Sequence, residues 1–194
     1  MAVWNPEKKE QMDHYPVISG FFRCHLEIAS LSVDTIAEVV SIVAEQAAET
    51  ILADHKLFSI GLGPDCASAL SLARLMQHGI LRERPSLPII ELTEQRATIG
   101  EQATSWVSEQ LKALGQPGDL GIVFAASLNE TEIKRLTNAA TQRQVKLVWF
   151  AAQGPGLNLF FPDIDLEHRL VMNNLTSICL AKLIDICTFG PLEE

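Results

Sequence analysis

The chain of 194 residues predicts an α/β protein, a three-layer αβα sandwich on a five-stranded parallel sheet. Short apolar segments rich in β-branched and aromatic residues recur along it, and helical periodicity fills the stretches between them. Each of those stretches is long enough for a right-handed crossover between parallel strands. In chain order, two helices come first, from about Pro16 to Leu31 and from about Val33 to Ala53, with Ser32 and Asp34 as capping candidates for the second. Strand candidates follow at Lys56–Ile60, Leu87–Leu92, Leu120–Ala125 and Val145–Phe150, with a short fifth around Ile164–Leu166. Between them lie helices near Cys66–Gln77, with Ala67, Leu70, Ala73 and Met76 at helical spacing, Thr98–Leu114 and Glu130–Gln142. Turns are marked by Arg84-Pro85-Ser86-Leu87-Pro88, Gly115-Gln116-Pro117-Gly118-Asp119 and Gly154-Pro155-Gly156. A last helix from about His168 to Cys187 carries Val171, Leu175, Ile178, Leu183 and Ile186, which leaves little polar surface and predicts burial against another subunit as well as the sheet.

Composition narrows the function. With 47% hydrophobic residues the chain can bury one substantial core, and one domain over 1–194 is expected, its residues 1–54 a helical region used in oligomerisation and 55–194 the αβα core. A formal charge of −9 argues against direct binding of nucleic-acid phosphates. No apolar run approaches the roughly 20 residues that span a membrane, and the first residues lack a basic segment followed by an apolar one, so a cytoplasmic location is expected. Cys24, Cys66, Cys179 and Cys187 show no paired or ligand-like spacing and read as buried thiols in a reducing compartment. His14, His25, His55 and His78 have no second ligand at helical spacing, so surface or capping roles are expected and neither metal nor cofactor is predicted. Trp106 and Trp149 read as core or interface residues, while Trp4, Tyr15, Phe21 and Phe22 pack either on a neighbouring subunit or in the core.

The first strand-to-helix turn carries the most information. Gly61-Leu62-Gly63 places glycines at a helix N-terminus, where free N–H groups and the helix dipole favour anions. Pro64 and Asp65 follow instead of hydroxyl residues. Asp65 can cap the helix itself, and its carboxylate would occupy or repel the place of a phosphate. At about 5 Å and an effective dielectric of about 20, each carboxylate–phosphate charge pair costs about 3 kcal/mol.

That glycine turn, Arg82-Glu83-Arg84-Pro85-Ser86-Leu87-Pro88 entering the second strand, Leu111-Lys112-Ala113-Leu114-Gly115 with Gly118-Asp119 before the third, and Leu180-Ala181-Lys182-Leu183-Ile184-Asp185 near the end together resemble the sugar isomerase (SIS) family. Within it the chain is similar to the branch of phosphoheptose isomerase and the DnaA initiator-associating protein, from about Pro16 onward. The resemblance implies a homotetramer with pockets at subunit boundaries, and it does not imply catalysis.

The family's phosphosugar loops are altered here. In the first, the Ser/Thr pair falls on Pro64 and Asp65; in the second, the hydroxyl run becomes Ala125-Ala126-Ser127-Leu128-Asn129-Glu130. Each lost hydrogen bond to a charged phosphate forfeits about 1.5–3 kcal/mol. Ser127 and Asn129 are either surviving donors or a turn pair capping the helix that starts near Glu130. The resemblance thus outlines a vestigial pocket of Gly61, Gly63, Asp65, Ser68, Ser127, Asn129 and Glu130. The Glu and His that resemble an acid–base pair fall on Leu75 and Ile178, the family's Gln-x-x-His on Leu170 and Asn173, and a further His on Ser71. A shifted register would instead bring His168 into that role.

Two functions follow from the resemblance. One is a non-catalytic tetrameric scaffold that binds the initiator DnaA, with Phe189 and Leu192 as contacts; Phe189 is either an exposed anchor or folded back on the sheet, and the second large apolar residue of such tails is replaced by Gly190. The other is a phosphosugar-binding protein or sedoheptulose 7-phosphate isomerase. A subunit pairing with an active paralogue is a third.

Overall fold

A computed structural model describes residues 13–79, 81–93, 101–125, 128–150, 153–159 and 164–191. Contacts group the chain into two compact units, Met1–Thr35 and Ile36–Glu194. Helix α1, Tyr15–Leu52, contributes to both. In the first unit it exposes Tyr15, Val17, Ile18, Phe22, Leu26, Leu31 and Val33. In the second it buries Val40, Val43, Ala44, Ala47 and Ala48. The expected break into two helices is not there. Leu31-Ser32-Val33 contains neither Gly nor Pro, and Ser32 Oγ donates to the Ile28 carbonyl at 2.7 Å inside a continuous helix instead of capping a new one.

The second unit is built on β1 (Leu57–Gly61), β2 (Ile89–Thr93), β3 (Leu120–Phe124), β4 (Lys146–Phe150) and β5 (Asn158–Leu159), in the order β2-β1-β3-β4-β5 with every pair parallel. Central strands β1 and β3 are buried at every position, as a sheet covered on both faces requires. The connecting helices are α2 (Cys66–His78), α3 (Glu101–Leu114) and α4 (Glu130–Gln142), and α5 (Leu166–Phe189) closes the chain. On one face Phe58, Ile60, Val123 and Trp149 pack with Val107 and Leu111 of α3 and Leu136, Ala139 and Ala140 of α4. On the other, α2 lies on β1 and β2 and α5 lies against α2.

Two strand expectations shift. The second strand starts at Ile89, because the segment up to Pro88 holds an irregular path in which the Pro88 carbonyl accepts from Leu57 N at 2.8 Å. The fifth strand is Asn158–Leu159, paired with Trp149 and Phe150, and Asn158 Nδ2 is fixed by the carbonyls of Gly154 and Gly156. Ile164 lies outside any strand and Leu166 already begins α5. Helix α5 is long and apolar enough to cross a membrane by length and composition, at 24 residues with a most apolar window of mean hydropathy 1.4. Its packing against α2 and its buried, ion-paired Asp185 make it a core helix here.

Two of the recognisable motifs are clamps. Asp119, buried at the start of β3, accepts from Lys56 N at 3.0 Å and Gln116 N at 2.8 Å and pairs with Lys56 Nζ at 2.6 Å. Gly118 beside it has φ +93°, and a Cβ there would meet His55 Nε2 at 2.4 Å. Asp185 on α5, fully buried, pairs with Arg82 Nε at 3.0 Å and with Arg84 Nε. Arg84 also donates to the carbonyls of Met76 (2.8 Å) and Leu75 (3.3 Å), the last turn of α2. Three segments distant in sequence are thereby locked together.

Candidate functional site

Gly61 ends β1 where α2 comes close: a Cβ there would stand 2.7 Å from both Ala69 Cβ and Cys66 Cα. Gly63 follows with φ +59° and opens a 3₁₀ turn, Gly63–Asp65, that carries Pro64. This turn leads directly into α2. Asp65 sits at the N-cap position, yet its side chain makes no capping hydrogen bond, which corrects the expected cap. Its carboxylate is fully buried and accepts from Asn173 Nδ2 of α5 at 2.8 Å. Ser68, one turn on, is also buried. A carboxyl group is thus enclosed at the helix start, bonded from the last helix.

The second loop divides. Ser127 lies outside the described residues. Asn129 caps α4: its Oδ1 accepts from Glu132 N at 3.0 Å while Glu132 Oε2 accepts from Asn129 N at 2.9 Å, a reciprocal box. The Asn-x-x-Glu spacing carries that signal; the expected capping pair is Ser127 and Asn129, whereas the box partner is Glu132. Glu130 points into solvent, 90% exposed and 3.5 Å from Lys134. Of the two carboxylates expected to crowd the loops, only Asp65 is enclosed.

Leu75 and Ile178 come together. With Leu70, Ser71 and Arg74 they line a cavity of about 420 Å³ between α2 and α5. Leu70 is 40% exposed on it, whereas the buried stripe of α2 includes Ala69, Leu72, Ala73 and Met76. Among the described residues that line it there is no carboxylate or imidazole. His168 is buried in the first turn of α5 and is not among the residues lining this cavity. Leu170 lies on the same helix.

At the far end of α5, Phe189 is 40% exposed with the Arg84 guanidinium 5.6 Å from its ring centroid. Arg82 Nη2 holds the Gly190 carbonyl at 2.7 Å. Leu192 lies outside the described residues. The thiols depart from expectation: Cys24, Cys179 and Cys187 are exposed and Cys66 is half-buried, its Sγ donating to the Gly61 carbonyl at 3.3 Å. Partial desolvation of the Cys187 thiol and the nearby Glu45 raise its pKa, although the residue as a whole is exposed. Trp149 is fully buried and Trp106 is not. Among the described residues no cluster of three His, Cys, Asp or Glu could hold a metal ion.

No protein-family model matches the chain. It is 26% identical over 194 residues to the phosphoheptose isomerase of Methylococcus capsulatus, covering 92% of this chain and 100% of that one. It is 27% identical over 177 residues to the DnaA initiator-associating protein DiaA of Photorhabdus laumondii, covering 83% and 90%. The fold is that of a solved phosphoheptose isomerase from Francisella tularensis, with a TM-score of 0.77 over 90% of this chain and 99% of the other at 20% identity.

Proposed function

We propose that this homologue of phosphoheptose isomerases and of DiaA is a non-catalytic, cytoplasmic SIS-domain protein of the DiaA type, a homotetrameric scaffold that binds the initiator DnaA. The whole chain acts as one SIS domain, and residues 1–54 serve the oligomer through the apolar surface that α1 exposes. The observation that carries the reading is the cavity between α2 and α5. At the positions where the resemblance expects an acid and a base it has Leu75 and Ile178. The enclosed Asp65 carboxylate supports it, because a dianionic phosphate at the Gly63 turn would face that charge. Four identical surfaces would raise the local concentration of bound initiators without strong single contacts. The charge of −9 favours encounter with basic partners. Phe189 at the end of α5 and Leu192 are the contact residues.

Surface plasmon resonance of the cognate DnaA over the immobilised protein tests this, with Phe189→Ala as the comparison. Tight binding that the substitution weakens by about tenfold or more is expected. Absence of binding refutes the initiator role and leaves the fold unaffected. The second reading, a phosphosugar-binding protein or sedoheptulose 7-phosphate isomerase, is favoured by the similarity over the whole chain to the phosphoheptose isomerase of Methylococcus capsulatus. It requires a sugar phosphate to bind beside the Asp65 carboxylate.

A further inference from the structure

We propose that a second cavity, at the amino-terminal ends of β1 and β2, is a binding site for a small organic anion, a carboxylate or phosphate monoester with a compact apolar body. The cavity is about 620 Å³, ample for such a molecule. It lies away from the Gly61–Asp65 turn, with the length of β1, about 16 Å of strand, between Lys56 and that turn. Its wall reverses the charge of the protein. Lys56, Arg74 and His78 all line it in a chain whose net charge is −9.

The Arg74 guanidinium is not cancelled locally. No carboxylate among the described residues lies within ion-pair distance of Arg74 or His78. Arg74 Nη1 donates to the Gln77 amide oxygen at 3.4 Å, which consumes no charge. Lys56 pairs with Asp119 at 2.6 Å, so its ammonium adds a hydrogen-bond donor to the wall and no uncompensated charge. The C-terminal end of α2 would oppose an anion through its free carbonyls. Here those of Leu75 and Met76 are taken up by Arg84. Ser86 adds a hydroxyl at the rim, and Leu87 and Ile89 form a buried apolar floor. Cationic and hydroxyl donors over an aliphatic floor select a molecule with one charged end and one apolar end.

Calorimetry on the full chain with phenyl phosphate as the probe tests the site, with inorganic phosphate supplying the head alone. Phenyl phosphate is expected to bind more tightly than inorganic phosphate. Arg74→Glu and, separately, His78→Glu, both at exposed positions that leave the core intact, are expected to weaken it by about tenfold or more. No heat from phenyl phosphate at millimolar concentration would overturn the proposal, as would binding that both variants leave unchanged.

Discussion

Replacing Arg84 by Met removes a guanidinium that is 2% exposed and leaves Asp185, fully buried, with one partner. Breaking a buried ion pair from one side costs about 3–5 kcal/mol, because the remaining charge stays desolvated. Three features set the expected value at the low end. Arg82 remains on the other carboxylate oxygen at 3.0 Å. The Leu75 carbonyl keeps Gly79 N at 2.9 Å, and the Met76 carbonyl keeps Leu87 N at 3.3 Å. Methionine also fills most of the vacated volume. A loss of about 3 kcal/mol corresponds to a fall of about 6–12 °C in Tm for a chain of this size. With a urea slope of about 2 kcal/mol/M, the midpoint moves by about 1.5 M. Arg84→Lys should recover little, since an ammonium cannot reach a carboxylate and two carbonyls in the guanidinium's planar fork. Arg82→Met should cost less, its side chain being 22% exposed. A Tm change below about 2 °C for Arg84→Met would refute the reasoning, since it would mean that water or Arg82 replaces the lost partner at no cost.

Asn173→Leu deletes the donor to the buried Asp65 carboxylate and is expected to lose about 1.5–3 kcal/mol in urea unfolding; an unchanged midpoint would show that the contact does not hold α5 to the loop. Gly118→Ala places a Cβ against His55 at a φ of +93°, and a loss above about 1 kcal/mol is expected from the same assay, whereas a neutral result would mean that His55 swings clear. The folded Cys187 thiol has its pKa raised above the ordinary value of 9.0, by partial desolvation and by Glu45. The native state therefore holds a proton that the unfolded state releases, so this contribution is intact below pH 9.0 and is lost as pH rises through the folded value. Cys187→Ser should flatten the fall of stability in that alkaline window, and an identical slope in both proteins would contradict the assignment.

The sheet was legible because its strands follow the rule for buried parallel strands: Leu57–Ile60 and Leu120–Phe124 are apolar runs bounded by glycine turns. The Gly118-Asp119 and Arg82–Arg84 with Asp185 motifs were legible as patterns, yet their physical work is holding segments together. They report a fold more directly than a chemistry. The continuous α1 was missed because hydroxyl and acidic residues at 32–34 imitate a cap, while nothing there interrupts the backbone ladder. β5 was missed because a two-residue strand carries too little pattern, and its position is set by pairing with Trp149 and Phe150. The cavity between α2 and α5 was hidden for a further reason. Leu70 continues an apolar helical period, and sequence cannot distinguish a residue facing the core from one facing a cavity. The link from Asp65 to Asn173 spans 108 positions, beyond any local signal.

Titration of sedoheptulose 7-phosphate into the purified full chain by calorimetry, followed by assay of the same sample for isomerised product, tests the non-catalytic reading most directly. The account predicts no binding heat up to millimolar sugar and no product. Micromolar affinity or turnover would contradict it, and would require the Asp65 carboxylate to be displaced or protonated beside the bound phosphate.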